Sequence, residues 1–84
     1  MKTVEIGQRI KRVRTEINKL SQFEFSEHIG ITQANLSMLE NGKICPSCFL
    51  LIKLNLLYKI NINWLITGQG NIMIEEQVKE ENKK

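Results

Sequence analysis

Cys45 and Cys48 stand two residues apart in the stretch CPSC. That spacing can close a redox disulfide or supply half of a tetrahedral zinc site. Either chemistry needs more than the pair. A structural zinc takes about four ligands, and only His28, read here as an exposed helix residue, is available to join two cysteines. A thioredoxin-like dithiol needs a βαβ surround, and no run before residue 71 reads as a strand. The chain carries no nucleophile–base pair, no paired carboxylates and no phosphate-cradling glycine loop, so no enzyme, metal or cofactor is expected.

Charge points elsewhere. The formal charge is +3, and residues 1–19 hold six basic groups (Lys2, Arg9, Lys11, Arg12, Arg14, Lys19) against Glu5 and Glu16. A basic front end suits a polyanion, although a solvated helix face is the plainer reading of these side chains. The hydrophobic fraction of 42% supports one folded domain in 84 residues, with a single modest core. The longest apolar run, Cys48 to Ile52, is far short of a membrane span. Nothing resembles a signal peptide, and a cytoplasmic address, where thiols stay reduced, is expected.

These side chains must be positioned by helices. Ile6, Ile10, Val13 and Ile17 step by four, three and four, which stripes one helix face. Ser21 and Glu24 have capping-box spacing, so a second helix starts at Ser21 and ends at Gly30. Thr32 caps a third helix ending at Asn41-Gly42. Ser47 caps a fourth running to about Tyr58, and Asn61 a short fifth stopped by Gly68. The result is an all-α domain of five helices over residues 1–70. An extension, 71–84, follows: Asn71 to Ile74 can be extended, and the tail EEQVKEENKK reads as loose.

The second and third helices are joined so tightly that they must cross steeply. Such a crossing needs a small residue beneath it, a glycine at the turn and apolar side chains facing the core. Ser26, Gly30, Phe25, Ile29, Ile31, Leu36 and Leu39 meet these seven requirements, which is the helix-turn-helix template.

With those positions filled, the chain resembles the Cro/CI-like, or XRE-type, family of phage and bacterial helix-turn-helix regulators. The resemblance is carried by LSQFEFSEHIGITQANLSMLENGK, then PSxxxLxKL and NWLITGQG, with IGQRIKRVR in front, over roughly residues 4–70. It implies a lambda-repressor-like fold whose helix 32–41 lies in the major groove of double-stranded DNA. Gln33, Ala34, Ser37 and Met38 would then meet base edges: Gln suits adenine, Ser several bases, and Ala or Met a thymine methyl. With no arginine among them, no strong guanine contact is expected. Gln22, beside the free amides of a helix start, with Asn35, Asn41 and Lys43, would hold phosphates. Arg14 would pair with Glu40 in a structural role, although the segment after Arg14 is one residue longer than in many relatives. Cys48 falls where relatives carry an apolar residue, so it is expected to be buried.

Helix 47–58 departs from the family. CFLLIKLNLLYKI is apolar nearly all round, and one small core cannot cover every side. Phe49, Leu50 and Leu56, helped by Ile72 and Ile74, are candidates for a homodimer interface. The alternative for Ile72 to Ile74 is to fold back on the same chain. The expected whole is a cytoplasmic transcriptional regulator, a repressor in the first instance, bound as a homodimer to a pseudo-palindromic operator. The rival is an antitoxin or other protein-interaction module that uses the apolar surface of helix 47–58.

Overall fold

The computed structural model describes residues 3–74. Five α-helices follow in order: α1 (Thr3–Arg12), α2 (Gln22–Ile29), α3 (Gln33–Glu40), α4 (Cys48–Tyr58) and α5 (Ile62–Thr67). The expected all-α architecture is present, and among the described residues β pairing is limited to one antiparallel bridge between Ile60 and Met73.

Local chemistry sets the ends. Ser21 Oγ accepts the Glu24 amide while Glu24 Oε1 accepts the Ser21 amide, a complete capping box. Thr32, Ser47 and Asn61 accept amide hydrogens at the starts of α3, α4 and α5. Gly30 ends α2 with φ of 74°, in the left-handed region where a side chain would be strained.

After α1 the chain continues into a π-helical turn over Val13–Ile17. A π turn carries its hydrogen bonds one residue further than an α turn, and the Asn18 amide reaches the Val13 carbonyl at 3.1 Å. The widened turn leaves Val13 fully inside and Ile17 half-buried.

The core gathers Ile10 and Val13, Phe25 and Ile29, Leu36 and Leu39, Leu50 and Leu54, Ile60, Trp64 and Leu65. Each of the five helices contributes, and Ile60 fills the gap between the last two. Gly7 is buried where α1 crosses the end of α3, with the Leu39 and Glu40 carbonyls against it. A mid-helix glycine weakens a helix by about 1 kcal/mol relative to alanine; here it permits an approach that a Cβ would block.

The segment after α5 folds back. Asn61 donates its amide to the Ile72 carbonyl at 2.8 Å, and Ile74 donates to the Lys59 carbonyl at 2.8 Å. Ile72 packs on the core. One edge of this segment is therefore engaged within the chain. The tail expected to be loose, from residue 75 onward, lies outside the described residues.

Candidate nucleic-acid interface

Helix α3 has two dissimilar sides. Leu36, Leu39 and Glu40 are buried, while Gln33, Ala34, Met38 and Asn41 are exposed and Ser37 is half-buried. With 3.6 residues per turn these outward residues line one side of the helix, and eight residues make it about 12 Å long, the width of a major groove. Asn41 Nδ2 reaches Ser37 Oγ at 3.4 Å, so the last turn of this side is tied to itself. No formal charge stands among these five residues.

The buried end of α3 is held from two sides. Glu40 Oε2 accepts Arg14 Nε at 2.6 Å, and Oε1 accepts Arg14 Nη2 at 3.0 Å. Side-chain exposure is 11% for Arg14 and 2% for Glu40. This is the bidentate fork that suits guanidinium and carboxylate. Arg14 Nη1 also donates to the Leu20 carbonyl, which anchors the segment entering α2. The longer π turn thus leaves the expected pair intact.

Gln22 is where sequence reasoning is incomplete. Its Nε2 donates to Glu40 Oε1 at 3.0 Å, so its side chain points inward to the ion pair. At the start of α2 the capping box engages Ser21 and Glu24, the Gln22 and Phe23 amides have no acceptor within the helix, and the Phe23 side chain is exposed. Asn35 is exposed on the opposite flank of α3, beside an open polar hollow of about 410 Å³ with Ser26, Glu27, Gly30, Ile31 and Thr32. Lys43 is exposed just beyond α3.

The basic front end is less available than its count suggests. Arg9 Nη1 donates to the Leu65 and Ile66 carbonyls near the end of α5. Arg12 pairs with Glu16 at 3.0 Å and lies over the Trp64 ring. With Arg14 inside, three of these cations serve the fold. No periodicity signals this use; it follows from carbonyls and rings that only the folded chain brings near.

Two expectations are corrected. Cys48 is exposed, as is Cys45, and both are free thiols; at the first position of α4 Cys48 lies off the core-facing side formed by Leu50 and Leu54. Leu50, grouped with the dimer candidates, is 5% exposed and belongs to the core. Phe49 and Leu56 are exposed as expected, at 82% and 68%. Among the described residues no group of three or more His, Cys, Asp or Glu side chains could hold a metal ion, and no helix is long and apolar enough to cross a membrane.

A family model described as a helix-turn-helix domain matches residues 7–71, most of the chain. The chain belongs to this helix-turn-helix family. The helix-turn-helix domain is similar to the restriction-modification controller protein C.AhdI from Aeromonas hydrophila, at 27% identity and a TM-score of 0.65, over 75% of this chain and 94% of that one. It also resembles a transcriptional regulator from Listeria innocua at a TM-score of 0.66, over 90% of this chain and 70% of that one. At 16% identity, that second likeness is one of fold. No curated protein matches the sequence. The fold is that of helix-turn-helix DNA-binding transcriptional regulators.

Proposed function

We propose that this helix-turn-helix domain is a cytoplasmic, sequence-specific repressor that reads double-stranded DNA through α3. The observation that carries this reading is the two-sidedness of α3: Leu36 and Leu39 hold it in the core, and Gln33, Ala34, Ser37 and Met38 face away. Gln33 offers the acceptor–donor pair that matches adenine, and Ala34 and Met38 offer surface for a thymine methyl. Asn35, Asn41 and Lys43 flank that face as phosphate contacts. Gln22 contributes through its backbone amide, or through its side chain once that lets go of Glu40. A homodimer would set two α3 helices about 34 Å apart on a pseudo-palindromic operator, and occupancy of a promoter would block transcription.

Selection of bound sites from random duplexes, repeated with Gln33→Ala, tests the reading. The variant should relax preference at one symmetric position and lose roughly 1–3 kcal/mol per half-site. Lys43→Ala should instead weaken all sequences alike and flatten the salt dependence by about one unit of slope. Recovery of no preferred sequence by the unaltered protein would defeat the proposal.

A further inference from the structure

Helix α4 leaves an apolar stripe in water that the monomer does not use. Phe49, Ile52 and Leu56 follow one another at helical spacing on the side away from Leu50 and Leu54, with exposures of 82%, 53% and 68%. A fully exposed aromatic side chain offers roughly 200 Å² and the aliphatic ones somewhat less. The three together therefore leave on the order of 400 Å² of apolar surface in water, about half of the ~800 Å² that one partner of a standard interface buries.

Three further observations say what covers it. First, the stripe borders a hollow of about 340 Å³ lined by Cys48, Leu51, Ile52, Asn55 and Ile62. A projecting ring and a receiving hollow on one helix, with Ile52 belonging to both, make the surface complementary to itself, which is the requirement for a two-fold contact. Second, α4 contains no carboxylate, and its one cation turns aside: Lys53 Nζ lies 3.4 Å from the Ile29 carbonyl, at the end of α2. The stripe itself, Phe49, Ile52 and Leu56, carries no charge. Third, the polar group in the hollow is already engaged, since Asn55 Nδ2 donates to the Ile60 carbonyl at 3.1 Å.

We infer that α4 packs antiparallel against α4 of a second copy of this chain, Ile52 near the axis, each Phe49 entering the other copy's hollow. The inference rests on the homodimer reading above and assigns its surface. Cys48 lines the hollow and is covered in the dimer; Cys45, in the loop before α4, stays open. The chain thus carries its own reporter and its own control.

Sedimentation equilibrium of the whole protein at tens of micromolar, with a thiol reagent followed at both cysteines, is the test. A dimer is expected, with Cys48 labelled more slowly as protein concentration rises and Cys45 unaffected. Phe49→Asp should weaken self-association at least thirtyfold, roughly a hot-spot loss, and restore Cys48 labelling, with an unchanged helical circular dichroism spectrum. Leu56→Lys should do the same and serves as the check if Phe49→Asp folds poorly. A monomer throughout the concentration range overturns the inference. So does a dimer that survives both substitutions, or one whose Cys48 labels at the same rate at every concentration. Site selection with monomeric Phe49→Asp keeps the two readings apart: retained half-site preference leaves the DNA reading standing whichever way the association result falls.

Discussion

Replacing Arg14 by alanine removes two charged hydrogen bonds from a carboxylate that is 2% exposed. Hydrogen bonds to charged groups are worth about 1.5–3 kcal/mol each, and removing one partner of a buried pair typically costs about 3–5 kcal/mol, because the other charge stays in place. Two features pull towards the lower end. Gln22 still donates to Glu40, and the space vacated by Arg14, itself 11% exposed, admits water. The expected loss is therefore about 3 kcal/mol, and in a domain of this size that lowers the melting midpoint by roughly 12–24 °C. Urea unfolding followed by the fluorescence of buried Trp64 measures it. Adding Glu40→Leu to the Arg14 variant should recover a large part of the loss, since no charge is then stranded. A single-variant loss below about 1 kcal/mol, with no coupling in the double-mutant cycle, would refute the account of Glu40 as a buried anion held by Arg14.

Two other outcomes follow from the fold. Gly7→Ala, which in an ordinary helix interior stabilises by about 1 kcal/mol, should here destabilise by about 1–3 kcal/mol, because the new Cβ meets the Leu39 and Glu40 carbonyls; thermal melts give the sign. The Ser21 amide, then its hydroxyl, hold the exposed Glu24 carboxyl below its ordinary pKa. A depressed folded-state pKa gives stability that is present above the ordinary carboxylate value and is lost as pH falls through the lowered one. Melting midpoints of the unaltered protein and Glu24→Gln should therefore differ near neutrality and converge as pH falls through the lowered carboxyl value.

Helix ends were the most legible part of the sequence. Ser21, Thr32, Ser47 and Asn61 all cap as their types and spacing suggest, because a cap is a transaction among residues two or three positions apart and needs no tertiary partner. The Arg14–Glu40 pair was anticipated through the family resemblance, and α3's two sides through periodicity. What escaped depends on distant neighbours. Leu50 and Phe49 are adjacent and similarly apolar, yet one is buried and the other 82% exposed; in a helix apolar all round, the pattern cannot say which side meets the core. Cys48 was misplaced because its burial was carried over from the family resemblance, while in this chain it is exposed. Gln22 looked outward from its position at a helix start, but its reach to Glu40 depends on how α2 and α3 cross. The Asn18 amide bond to Val13 left no trace in the hydrophobic stripe, because Ile17 still packs against the core.

The meeting of Gly7 with the last carbonyls of α3 has a mechanical consequence. Backbone against backbone leaves no side chain to re-rotamerise, so α3 is held against α1 at this end, which on the proposed DNA reading limits its freedom to pivot. A half-site of unfavourable groove width would then have to bend or narrow to fit a stiff probe, and the elastic work would be charged to the duplex. Discrimination would therefore extend to base steps that no side chain touches, visible as uneven binding among operators identical at every contacted position.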